Sequence, residues 1–213
     1  MEEAVIAYGK PAPRSGFAKA NAKTSGSTGT LREQSRINDI DVDVLIFTDG
    51  GCEPNPGEAG SGIAVYQKQA LRELWYGLYV AEGTNNIAEL NALNQGFLLA
   101  ADELKKNRSV AVFSDSTYSI NCITKWASGW EKKGWKRDGN QPIKNLELIQ
   151  EAYANYNRLK DKVQVLHVKG HAGIEGNELA DRMSMFAVRN HEDEFARYQD
   201  ELNISEILAM AAG

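Results

Sequence analysis

The chain has only two cysteines, Cys52 and Cys122, among 213 residues. That is too few for a disulfide framework, and they match no zinc-ligand spacing. No run approaches 18 consecutive apolar residues, so the hydropathy pattern predicts no membrane span. The first residues, Met1-Glu2-Glu3, offer neither a basic n-region nor an apolar h-region, and no secretory signal is expected. These absences predict a reduced, cytoplasmic setting. What is present is ordinary for a folded protein. Hydrophobic residues make up 42% and charged residues 25%, enough for a core and against wholesale disorder. The length suits one compact domain with some tail, and a monomer is expected.

The net charge is −5, which argues against polyanion binding until it is partitioned. Residues 191–213 hold six acids (Glu192, Asp193, Glu194, Asp200, Glu201, Glu206) against one base, Arg197. They therefore carry as much net negative charge as the whole chain. The acidity sits in a C-terminal tail, and local patches decide what the rest touches.

Residues 9–30 are rich in Gly, Ala, Ser, Thr, Lys and Pro, and the whole 1–40 stretch reads as a flexible segment or linker. Residues 2–8 could form a short docking peptide. Organised sequence begins near Asp41. Val44–Phe47 is an apolar run closed by Asp49-Gly50-Gly51, which predicts a buried strand ending at Asp49. Strand-like stretches follow at 61–67 and 71–80, giving a three-stranded antiparallel meander. Ile87, Leu90, Leu93, Phe97, Ala101 and Leu104 then form one apolar stripe, predicting a helix over 86–106. A fourth strand is expected at 110–113, helix at 116–127, and a loop at 128–140. A helix at 141–158, a fifth strand at 163–168 and a helix from Asn177 complete the chain. Strands 3, 4 and 5 are joined through helices and should run parallel. The expected fold is α/β, a five-stranded mixed sheet flanked by helices.

Four carboxylates occupy ends of these elements. Singly, each has an ordinary role: Asp49 in a turn, Glu89 in a capping box after Asn86, Asp115 as a cap, Asp181 in a helix's first turns. The topology gives them a joint role. With strands 1 and 4 as parallel neighbours, Asp49 and Asp115 lie at one sheet edge, the usual ligand crevice of open α/β sheets. Glu89 lies at the boundary of its helix's apolar stripe and can reach the same crevice. Carboxylates converging there without Lys or Arg among them repel unless cations intervene. Ligand sets made of oxygen alone favour Mg²⁺ or Mn²⁺.

At these residues the chain resembles type 1 ribonuclease H, the bacterial RNase HI type with extra tails. FTDGGCEPNPG (47–57) holds Asp49, TNNIAEL (84–90) holds Glu89, FSDSTY (113–118) holds Asp115, and VKGHAGIEGNELAD (168–181) holds His171 and Asp181. WEKKGWK (130–136) resembles the family's basic handle. The resemblance implies a ribonuclease H-like catalytic domain over 41–190. It implies hydrolysis of the RNA strand of RNA/DNA hybrids with two Mg²⁺ ions, Mn²⁺ being a possible substitute, leaving 5′-phosphate and 3′-hydroxyl ends. Asp49 would bridge the ions and Glu89, Asp115 and Asp181 complete the ligands. His171, in a glycine-flanked loop expected to move, matches the family's auxiliary histidine for proton transfer or product departure.

Cys52, Asn55, Asn85 and Asn86 match positions used around the RNA strand, though Asn-Pro-Gly and Asn-Asn also suit turns and caps. Trp126, Trp130 and Trp135 interleave with Lys132, Lys133, Lys136 and Arg137, a pattern that suits a groove for the DNA strand. Thr84 and Asn145 match positions that can hold a DNA phosphate. Ile87, Glu82 and Thr117 depart from residues common in relatives. The apolar Ile204, Ile207 and Leu208 in the acidic tail predict either a weakly packed extension of the last helix or a partner-docking segment. The tail could also compete with nucleic acid for the handle. Two other function classes are compatible with the fold. A resolvase-like or integrase-like nuclease is disfavoured by the ordered motifs, and a non-catalytic hybrid-binding module by the four carboxylates.

Overall fold

The computed structural model describes residues 25–213. The 2–8 docking peptide and most of the 9–30 linker lie outside them. Where the rest of a flexible segment was expected, helix α1 (Ser25–Asn38) is formed. Its Ile37 is buried against Leu45 and Phe47, which explains why a polar sequence holds a helix here.

The meander is β1 (Val44–Cys52), β2 (Gly57–Gln67) and β3 (Ala70–Gly83), all antiparallel. Helix α2 (Asn85–Lys105) leads to β4 (Val110–Ser114). Then come α3 (Thr117–Asn121), a π-helical turn at Cys122–Trp126 and α4 (Ala127–Lys132). Helix therefore occupies the first five residues, 128–132, of the stretch expected to be a loop. Helix α5 (Leu146–Asn157), β5 (Val163–His167) and α6 (Glu175–Asn190) follow. The sheet order is β5-β4-β1-β2-β3 with one more strand on the β3 edge, and β1, β4 and β5 are parallel neighbours.

The sheet has six strands, not five. The extra one, β6 (Ala196–Arg197), lies in the acidic tail and pairs with β3 at Trp75 and Tyr76. Aromatic packing explains it: Phe195 stacks on Trp75 at 5.6 Å, and Tyr198 meets Tyr76 and Phe186 edge-on. The last helix ends at Asn190, so the tail is not its extension. A short helix α7 (Ile204–Leu208) packs on α6 and buries Ile207, which places the tail's apolar stripe against the domain itself.

Strand alternation divides the core into two layers. Val44 and Ile46 of β1 face α2 and α5, with Leu90, Leu93, Phe97 and Ile149. Leu45 and Phe47 face α6, with Leu179 and Met183. At the sheet edge the β1–β4 pairing stops at Thr48 opposite Ser114. The next residue on each strand is Asp49 and Asp115. Asp49 is not the end of β1, however, since it still pairs with Gly62 of β2.

One buried acid belongs to the scaffold. Glu103, near the end of α2, receives Arg72 at 2.9 Å, Lys106 at 2.9 Å and Arg108 at 2.7 Å. Burial pushes its carboxyl up, but the three cations outweigh burial and bring it from an ordinary 4.5 to about 2. A lowered folded value adds stability above pH 4.5 that disappears as pH falls through 2, about 3 kcal/mol at most. Chemical denaturation across this range should show Glu103→Gln less stable at neutral pH and flatter in pH dependence than the parent.

Candidate active site

Three carboxylates meet at the sheet edge. Oxygens of Asp49, Glu89 and Asp115 lie within 4.8 Å of one another. Asp181 falls in an adjoining group with His171 and Glu178, also within 4.8 Å. All four predicted carboxylates and His171 line one cleft of about 380 Å³.

Two glycines make this convergence possible. A Cβ on Gly50 would meet Glu89 N at 2.2 Å, and one on Gly62 would meet Ala180 O at 2.1 Å. Helix α2 therefore presses on one face of the sheet and α6 on the other, both at the level of Asp49. Thr84 caps α2, accepting from Ile87 N at 3.4 Å, so the cap is not Asn86 and Glu89 is not a capping-box partner. Ser116 caps α3, which leaves Asp115 free of that duty.

The electrostatics are those of a cation site. Burial, and then the charges of Asp115 and Asp181, hold Asp49 well above the usual carboxylate range. Burial followed by Asp49 and Asp115 does the same to Glu89. Asp115 and Asp181 are also raised by burial, opposed by Asn177 at the first and by the Gly213 amide and Arg182 at the second. Glu89 Oε2, Asp115 Oδ1 and Asn177 Oδ1 are buried with no hydrogen-bond partner among the described residues. An oxygen-only donor set with orphaned buried oxygens fits a hard divalent cation held by Asp49, Glu89 and Asp115, with Asp181 adjoining.

Two features went unrecognised in the sequence. Asn177 is buried and its amide donates to both Asp49 Oδ2 and Asp115 Oδ2 at 3.3 Å, tying two like charges together. The signal was its place four residues before Asp181, on one helix face. Arg182 bonds Asp181 directly, so the expectation of no cation among the carboxylates fails at that residue. The tail also ends here rather than on the handle: the Gly213 N–H donates to Asp181 Oδ1 at 3.1 Å.

Cys52 and Asn85 line the carboxylate cleft, and Asn55 Oδ1 accepts from Asn85 N at 3.2 Å. Asn86, expected beside Asn85 around the RNA strand, instead lines a second groove of about 820 Å³, with Trp126, Trp130, Lys133 and Arg137. The start of α2 thus lies between the two clefts, and Tyr118 lines both. Trp135 is not in the groove; it packs on the core against Tyr153. Lys132 and Lys136 are exposed beside the groove without lining it, Thr84 is occupied as a cap, and Asn145 starts α5 in the left-handed conformation.

The repulsion stored at the cleft has a measurable consequence. A raised carboxyl opposes folding once pH is high enough to ionise it in the unfolded chain. With a chelator present at neutral pH, Asp49→Asn should therefore raise the melting temperature, or at least not lower it. Differential scanning calorimetry of both proteins checks this.

Comparison with known proteins converges on one family. The RNase H family model matches residues 41–189. The chain is 42% identical over 141 residues to a ribonuclease H of Mycolicibacterium smegmatis, covering 66% of this chain and 84% of that one. It is 40% identical over 141 residues to ribonuclease HI of Pseudomonas putida, covering 66% and 90%. Among solved structures it is similar to LC9-RNase H1, a type 1 RNase H with the type 2 active-site motif, at a TM-score of 0.61 and 26% identity, over 80% of this chain and 83% of that one. LC11-RNase H1 in complex with an RNA/DNA hybrid shares the fold at a TM-score of 0.52 and 22% identity, over 70% and 98%. With its carboxylate cleft at the expected sheet edge, this chain belongs to the ribonuclease H family and is a nuclease.

Proposed function

We propose that the protein hydrolyses the RNA strand of RNA/DNA hybrids at this cleft, using two Mg²⁺ ions and leaving 5′-phosphate and 3′-hydroxyl ends. The observation that carries this reading is the convergence of Asp49, Glu89 and Asp115, with Glu89 Oε2 and Asp115 Oδ1 buried and unpartnered among the described residues. Bound divalent ions would supply an activated water and neutralise charge on the leaving oxygen. Asp49, Glu89, Asp115 and Asp181 would hold the ions, with Asp49 common to both. Asn177 holds Asp49 and Asp115 in place from α6. His171, exposed at the rim beside Asp181 and Glu178, is a helper that moves a proton or eases product departure.

The two clefts divide the substrate. Cys52, Asn55 and Asn85 on the carboxylate side contact the RNA strand, where 2′-hydroxyl recognition separates RNA from DNA. Asn86, Trp126, Trp130, Lys133 and Arg137 form the groove for the DNA strand, with Lys132 and Lys136 adding to its field. The carboxylate cleft is acidic, so affinity for a polyanion must come chiefly from the handle.

End-labelled RNA/DNA hybrid incubated with Mg²⁺, Mn²⁺ or chelator tests the reading. Asp49→Asn should abolish cleavage while hybrid binding survives, and His171→Ala should slow turnover without abolishing it. Near-normal cleavage by Asp49→Asn would overturn the assignment.

The handle makes a separate expectation. Each lost phosphate contact removes about 0.9 from the slope of log affinity against log salt on B-form DNA. Replacing Lys132, Lys133, Lys136 and Arg137 by Ala should weaken hybrid binding and flatten its salt dependence, with turnover at saturation changing much less. Titrations at several salt concentrations would show it.

A further inference from the structure

The loop carrying His171 runs from Lys169 to Gly173, between β5 and α6. His171 itself has φ of 48°, in the left-handed region. Such a short, glycine-flanked segment has little side-chain packing of its own, so its conformation depends on hydrogen bonds to its backbone.

Those bonds come from two sides. On the domain side, Glu178 of α6 accepts from Gly173 N at 3.1 Å. On the other side stands α1. Glu33 Oε1 accepts from Lys169 N at 2.9 Å, and Thr30 Oγ1 donates to Ala172 O at 2.7 Å. These two contacts span 136 and 142 residues of chain and bracket His171. Helix α1 lies outside the region matched by the family, residues 41–189. It is fixed one turn further on by buried Ile37, so Thr30 and Glu33 project from an anchored support.

We infer that α1 is a brace for the histidine loop, with Thr30 and Glu33 as positioning residues that hold the His171 imidazole at the rim of the carboxylate cleft. The inference rests on the proposed role of His171 and adds to it an element supplied by the N-terminal extension. Neither side chain touches the carboxylates in the described contacts; both act through the loop. The effect on turnover is therefore bounded by the effect of removing the imidazole itself.

The full chain carrying Thr30→Val and Glu33→Leu tests this with three readouts. Amide hydrogen exchange at Lys169 should accelerate about ten-fold or more once its charged acceptor is gone. The kcat should fall several-fold with KM little changed, by no more than His171→Ala causes. In a His171→Ala background the same pair should have no further effect on kcat, since residues acting through one group are not additive. Thr30→Ser with Glu33→Gln keeps a hydroxyl donor and a carbonyl acceptor, and should restore both exchange protection and rate. Unchanged exchange at Lys169 would overturn the brace. Equal slowing with and without the imidazole would overturn positioning, because α1 would then act elsewhere. If His171→Ala alone left turnover unchanged, the helper role would fall and take positioning with it, while exchange would still decide whether α1 braces the loop.

Discussion

The close approach of two helices to β1 and β2 at Gly50 and Gly62 is the constraint on which the site depends. Helices pack on a sheet through side chains, which normally keep backbones well apart. Here a single Cβ on either strand would collide with helix backbone at little more than 2 Å. Removing it lets α2 deliver Glu89, and α6 deliver Asn177 and Asp181, to the level of Asp49. Since Asp49 and Gly62 are register partners, the same rung of the sheet carries both Asp49 and the gap that admits α6.

The chain handles buried negative charge in two opposite ways. Glu103 is surrounded by Arg72, Lys106 and Arg108, and its carboxyl is driven down despite burial. At the cleft, burial and like charge drive Asp49 and Glu89 up, while oxygens of Glu89 and Asp115 find no donor. One acid is satisfied by the protein's own cations; the others are left to repel one another, as the proposed metal site requires. Arg182 at Asp181 marks the border between the two regimes. This contrast separates a structural carboxylate from the proposed ligands better than burial alone, because Glu103, Asp49 and Glu89 are all buried.

The segments flanking the matched domain are part of its architecture. Helix α1 adds Ile37 to the core layer of Leu45 and Phe47 and reaches the histidine loop. The acidic tail supplies an edge strand, buries Ile207 and brings a backbone amide to Asp181. Its segments thus lie on the β3 edge and on α6, and none of its acids lines the tryptophan groove.

Local pattern determined much of this protein. The alternation of Val44 to Phe47 and the α2 stripe predicted their elements because each repeats the period of one element, while five motifs in order identified the family and its four carboxylates by resemblance. The sequence could not show that Asn177 bonds two carboxylates or that Arg182 pairs with Asp181, since both depend on how α6 is seated on the sheet. Nor could it show Trp135 turned into the core instead of the groove, because periodicity gives no direction for a residue in a loop at positive φ. The largest departures were at the two ends. A polar helix and an acidic tail have too little apolar pattern to be read locally, and only tertiary contacts at Ile37, Phe195 and Ile207 fixed their form.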